Sequence, residues 1–264
     1  MVGTIEINGT GGILEGNLDD AIINVNTDAT YTFDGVDDWL HAGDVDLITT
    51  GDLSLSIWIK PTSHTDHGAE VIGKKGHYNV GNTGYGLFYR HSNSTVYFNV
   101  SDGTDQGEIT FATGSGMEDT WFHICGTYNA TTKAQILYVN GVSKATGTAT
   151  DVGNLTNSNY LRIGANGATS HGDASFKGEL ADGRLYSDVL TLSEVQVLAS
   201  KINVDSALGP TAANLVGWWK VAGTSISVAD SSANSNAMTA YGSPATVYDA
   251  FSVNVQDNTT TTDG

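Results

Sequence analysis

The 264-residue chain holds one cysteine, three prolines and 11 lysines and arginines against 29 acids, a formal net charge of −18. Each scarcity excludes something. With Cys125 alone no intrachain disulfide can form, so core packing or a bound metal must hold the fold. So few cations, nowhere clustered, leave no surface that attracts phosphate, and a nucleic-acid partner is excluded. No window approaches the ~18 consecutive apolar residues of a spanning helix, so membrane insertion is not expected. The opening MVGTIEINGT also lacks the basic and apolar stretches of an export signal. Glutamate is scarce too, with seven, at 6, 15, 70, 108, 118, 179 and 194, against 22 aspartates. What is plentiful is apolar: 39% hydrophobic and 9% aromatic residues with only 15% charged exclude a disordered acidic chain.

The dominant period is two. In LSLSIWIK at 53–60, Leu53, Leu55, Ile57 and Ile59 share one face of a pleated strand. Residues 134–140 read as a strand entering an Asn140-Gly141 hairpin turn, with 142–146 returning. Further strands are expected at 31–33, 84–90, 95–100, 121–128, 160–163, 178–186, 215–220 and 246–255. Many short strands punctuated by Gly, Asn, Asp and Ser predict an all-β fold, an antiparallel two-sheet β-sandwich. One helix stands out, where Thr191-Leu-Ser-Glu194 forms a capping box and Leu192, Val195, Leu198 and Ile202 follow at helical spacing. It is expected to cap an open edge or end of the sandwich.

Several stretches occur in an order that resembles laminin-G-like domains: FDGVDDWL at 33–40, LSLSIWIKP at 53–61, Trp121-Phe-His with Tyr128, LYVNG at 137–141, LRIG at 161–164 and GELADGRLYSDVLTLSEVQVL at 178–198. The resemblance covers residues 30–200 and implies a concanavalin A-like lectin/glucanase jelly roll. LVGWWK at 215–220 with VADSSANSNAM at 228–238 resembles the stretch that opens such domains, yet here it follows the helix. Three readings stand: a permuted domain, a strand exchanged with a neighbouring subunit, or, with less chain to support it, a truncated second copy. The expected organisation is an N-terminal arm over 1–28 for anchoring or oligomer contacts, a jelly roll over 29–256 with the WWK strand on its C-terminal side, and a tail over 257–264.

The resemblance also implies sites. Laminin-G-like domains often hold calcium near a sandwich rim, and the matching positions are Asp34 of FDG, Asp182 of LADGRLY and Asp230 of ADSSANSN, with Asn234 and Asn236 adding amide oxygens. The competing reading gives Asp34 and Asp230 to Asx turns and Asp182 to a neighbouring arginine. Asp37 and Asp38 are weaker candidates. His64, His67 and His77 could ligate a transition metal, but lack the further ligands of a zinc site and read better as solvated loop residues. Jelly-roll lectins bind sugars with rim loops or the concave face. Gly-rich loops here supply Tyr78, Asn79, Asn82 and Tyr85, and then Asn166, His171 and Asp173, as ligand-binding candidates. Tyr85 reads equally well as a core residue. Trp58, Trp121, Trp218 and Trp219 fit strand patterns and read as core.

Catalysis is not expected. Glucanases of this fold carry Glu-x-Asp-x-Glu on one strand, placing the acids on one face, and no such run exists here. Nor is there a Gly-x-Ser-x-Gly elbow, a His-Glu-x-x-His pair or a phosphate loop. The expected function is a non-catalytic, surface-displayed jelly-roll protein that binds a glycan or surface protein. Its expected setting is a virion, beside capsid or tail proteins and as a homo-oligomer. The alternatives are a secreted, extracellular carbohydrate-binding or adhesion module, and a glycoside hydrolase with a non-standard acid pair.

Overall fold

The computed structural model describes residues 22–26, 29–45, 51–64, 68–75, 81–166, 175–204, 212–220, 227–248 and 252–256. Strands β1 (Ile22–Asn26), β2 (Ala29–Asp34), β3 (Trp39–His41), β4 (Leu53–Pro61), β5 (Ala69–Gly73) and β6 (Thr83–Arg90) come first. They are followed by β7 (Thr95–Asp102), β8 (Gln106–Ala112), β9 (Phe122–Tyr128), β10 (Ala134–Val139), β11 (Val142–Thr148) and β12 (Arg162–Ile163). After β13 (Lys177–Tyr186) and helix α1 (Leu192–Leu198) come β14 (Leu215–Trp219), β15 (Ser227–Val228), β16 (Met238–Tyr241), β17 (Ala245–Tyr248) and β18 (Ser252–Gln256).

The chain forms two units, one spanning 28–247 and the other drawn from 1–27 and 248–264. In the second, β1 and β18 form an antiparallel pair from Ile22↔Gln256 to Asn26↔Ser252. The strand expected over 246–255 is therefore two strands, and the last of them joins the N-terminal segment rather than continuing the jelly roll.

The larger unit is the antiparallel two-sheet sandwich. The first sheet runs β11-β10-β9-β4-β13-β2-β17, with β14 also on β13, and the second runs β15-β16-β3-β12-β5-β6-β7-β8. Leu53, Leu55, Ile57 and Ile59 are fully buried between the sheets, as their spacing requires. Asn140 (φ 49°) and Gly141 (φ 72°) are both left-handed, the conformation a type I′ hairpin turn between β10 and β11 needs. One side of strand β13 is paired by remote segments: β2 with its first half, Lys177↔Asp34 to Leu180↔Tyr31, and β14 with its second, Gly183↔Trp219 to Tyr186↔Leu215. The WWK strand thus pairs within its own chain.

Helix α1 begins with the expected capping box, in which Thr191 Oγ1 accepts from Glu194 N and Glu194 Oε2 accepts from Thr191 N. It does not cap an edge or end. Val195 and Leu198 bury against Cys125, Tyr138, Tyr186, Leu215 and Trp218, so the helix covers the outer face of the first sheet. Trp58 Nε1 donates to Leu198 O at 3.2 Å, and Ser54 Oγ links Asp188 and Leu190 to β4. This second apolar layer is why Ser54 and Ser56, on the polar side of the β4 alternation, are buried too.

Two buried histidines make this packing acid-sensitive. His123, sharing a 2.8 Å hydrogen bond with Ser56, has its pKa pushed down to about 3 by burial and then by the Arg184 charge. His91 packs on Tyr89 and Phe176, accepts from Lys177 N, and is pushed down to about 4, chiefly by burial. Both stay neutral in the native state while the unfolded chain takes up protons below pH 6.5, so stability is lost as pH falls from 6.5 toward about 4. The expected slope is about 1.4 kcal/mol per pH unit for each histidine. Thermal melts across that range check it: His91→Gln should shallow the decline, and a flat wild-type profile would contradict it.

Candidate functional site

The FDG turn and the segment after β16 build one hollow. Strand β2 ends at Asp34, whose Oδ1 accepts from Val36 N at 2.7 Å in an Asx turn. Gly35 follows at φ +82°, where a Cβ would lie 2.9 Å from Lys177 Cβ. The chain then turns so that Asp38 is buried while Asp34 and Asp37 remain exposed. Asp38 is held from both sides, its Oδ2 accepting from Asp34 N at 3.1 Å and its Oδ1 from Ser243 N at 2.7 Å. Gly242 (φ +74°) makes that approach feasible, since a Cβ there would sit 2.5 Å from Asp38 Oδ1. Carboxylate oxygens of Asp34, Asp37 and Asp38 lie within 4.8 Å of one another.

Thr32, Tyr241 and Ser243 complete the wall, and no lysine, arginine or histidine lines it among the described residues. The Asp38 pKa is raised, first by burial and then by the neighbouring Asp34 and Asp37 charges, against two backbone N–H bonds that lower it. Uncompensated carboxylates in a shared hollow fit a hard cation. Bound through one oxygen each, three carboxylates would leave part of the about six to eight oxygen positions of such an ion to water or a ligand.

The other expected metal ligands are engaged elsewhere. Asp182 is 2% exposed. Its Oδ1 accepts from Arg184 Nε and Trp218 Nε1, and its Oδ2 from Arg184 Nη2 and Asn203 N. The Arg184 guanidinium also stacks 4.0 Å over Trp218. Asp230 accepts from Trp218 N, Ser232 N, Ser232 Oγ and Asn236 N, while Asn234 and Asn236 donate to backbone carbonyls of β14. Asp230, Asn234 and Asn236 bind the loop after β15 to the sheet, while Asp182 holds Arg184, Trp218 and Asn203 together. Of the expected metal set only Asp34 remains in the hollow, joined by the two weaker candidates.

The expected ligand residues are similarly dispersed. Tyr85 is 2% exposed and packs between the sheets. Asn166 is buried, accepts from Glu70 N at 2.8 Å and donates to Gly68 O, fixing its own loop. Asn82 lies in a partly exposed turn before β6. Tyr78, Asn79, His171 and Asp173, with His67 and His77, lie outside the described residues. His64 packs edge-on to His91.

What the sequence reading missed is a row of rings on the second sheet. Tyr241 lies 5.0 Å from Trp39, Trp39 4.9 Å from His41, and His41 5.1 Å from Tyr160, stacked within 13°. Arg162 lies over Trp39 at 4.3 Å and near Tyr160 at 5.8 Å. Strand pairing causes this, because β3 is flanked by β16 (Tyr241↔Trp39) and β12 (Arg162↔His41). The i, i+2 spacings Trp39/His41 and Tyr160/Arg162 were the available local signal. Tyr241 belongs to both the row and the hollow.

A family model described as concanavalin A-like lectin/glucanases superfamily matches residues 34–196, more than half the chain. The chain belongs to that superfamily. Among solved structures, the chain is similar to a native heptameric SAP-like pentraxin from Limulus polyphemus, 18% identical over 66% of this chain and 82% of its own, with a TM-score of 0.51. A protein from Bacteroides ovatus titled a putative carbohydrate binding protein is 15% identical, over 88% of this chain and 60% of its own, with a TM-score of 0.57. This chain thus spans about three fifths of the Bacteroides protein. No curated protein matches.

The contrast between the two groups of aspartates is testable. Asp182→Ala leaves the buried Arg184 uncompensated and should cost about 3–5 kcal/mol. Asp37→Asn removes an exposed carboxylate that repels its two neighbours and should leave stability unchanged or slightly raised. Urea unfolding of both variants checks this, and equal losses would contradict the assignment of separate roles.

Proposed function

We propose that the protein is a non-catalytic glycan-recognition module whose binding centre is the Asp34–Asp37–Asp38 hollow, with calcium as its cofactor. The observation that carries the reading is convergence: three carboxylates, with no lining cation among the described residues, open beside Tyr241, a residue 49% exposed. Calcium there would supply a charge that draws and orients sugar hydroxyls. The chain's own part is to fix Asp38 through two backbone donors and to offer the Tyr241 ring to the apolar face of a pyranose. Likeness to a putative carbohydrate binding protein supports the glycan as ligand.

The glutamates favour binding over hydrolysis. Glu179 is paired with Lys60 and accepts from Thr30, Glu194 caps α1, and Glu70 is fully buried. We place the module on an exterior surface, a virion or the extracellular face of a cell, in homo-oligomeric form, where several weak sites act together. A net charge of −18 suits such display by keeping unrelated copies apart.

The reading predicts calcium-dependent binding. Calcium at about a hundred times its dissociation constant should stabilise the fold by about 2.7 kcal/mol, and chelator should reverse this. Asp37→Asn should lose the shift while folding normally. Calorimetry with calcium followed by a glycan array tests both halves: no calcium heat removes the cofactor, and an array without a binder removes the glycan.

A further inference from the structure

We infer that the ring row Tyr241–Trp39–His41–Tyr160, with Arg162, is a second sugar-contacting surface continuous with the hollow, and that its ligand is a neutral glycan chain rather than a single terminal sugar. The inference rests on the glycan reading above and extends it by naming the ligand class.

Leu40 points into the core, so Trp39 and His41, its neighbours on β3, lie on the opposite, outer face of the second sheet. The row there is graded. Its inner members are shielded, Trp39 to 8%, while its ends, Tyr241 and Tyr160, are 49% and 44% exposed. Each end ring has one side held by its neighbour, which fixes it before any ligand arrives and lowers the ordering cost of binding. The two exposed tyrosines lie on either side of β3, Tyr241 on β16 and Tyr160 just before β12, so two interstrand spacings of about 4.8 Å separate their strands, more than the length of one pyranose unit. A single sugar cannot reach both; a chain of a few residues can.

The electrostatics select the charge class. The one guanidinium in the row, Arg162, donates to Asn166 O at 2.9 Å and lies in the field of the Glu70 carboxylate, so it offers little net attraction to an anion. The protein as a whole carries −18 and repels polyanionic chains. Stacking against apolar sugar faces, with hydroxyls left to the acidic hollow, is the chemistry that remains.

The test uses the full chain with calcium, on a glycan array of neutral and anionic chains and then by calorimetry with an oligomer series, from one sugar upward, of the neutral glycan that binds. Affinity should rise about tenfold from the single sugar to the oligomer that spans the row. Tyr160→Ala should remove that gain and leave the single sugar unchanged, Tyr160→Phe should retain it, and Tyr241→Ala should weaken every member. Both alanine variants need a native melting temperature. Affinity independent of length, or a gain that survives Tyr160→Ala, would overturn the inference while leaving the glycan reading intact. Binding of anionic chains alone would overturn the ligand class, and an array with no binder would overturn both readings.

Discussion

The hydrogen bond from Ser243 N to Asp38 Oδ1 joins positions 205 apart in the chain, and the candidate site exists only where they meet. One wall of the hollow is the turn after β2 and the other is the segment linking β16 to β17. Strands place both, since β16 pairs with β3 while β17 lies beside β2. The bond itself makes burial of Asp38 tolerable. A desolvated carboxylate is costly, and two backbone donors offset that cost while two neighbouring acids increase it. The balance leaves Asp38 fixed in position with its pKa still raised.

Remote segments also meet within the first sheet. With β2 and β14 sharing one side of β13, the end of the chain completes a lane begun near its start. The Asp182–Arg184 pair locks this junction from outside. Its two residues lie two apart across an irregular step in β13, with Asp182 at φ 55°, and both reach Trp218 of β14. Arg184 Nη2 also donates to Val204 O, tying down the segment after α1. Of the chain's 11 lysines and arginines, Lys74, Lys75, Arg162 and Arg184 are buried. Three acids, Asp38, Glu70 and Asp182, are buried with them, so the excess of acids stays at the surface.

Local rules made much of the fold legible. Alternation in β4, the Asn140-Gly141 hairpin and the Thr191 capping box each involve residues close in sequence, where period or turn chemistry acts directly. The placement of α1 was not legible, because an amphipathic helix shows which face it buries and not what it buries it against. Of the site, Asp34 was read from the FDG motif and Asp37 and Asp38 were underweighted, since acidic turns are common in this chain. At Asp182 the family motif points to calcium while Arg184, two residues on, points to an ion pair, and the ion pair forms. The ring row needed strands β3, β12 and β16 to align, and no local pattern carries that register.

The most direct test of the central claim is a crystal structure of the protein grown with calcium and the oligosaccharide that binds it. The account predicts a cation among Asp34, Asp37 and Asp38, with one sugar ring against Tyr241 and the chain running toward Tyr160. A cation held by other residues, or a sugar bound in the loops that carry Tyr78 or His171, would contradict it.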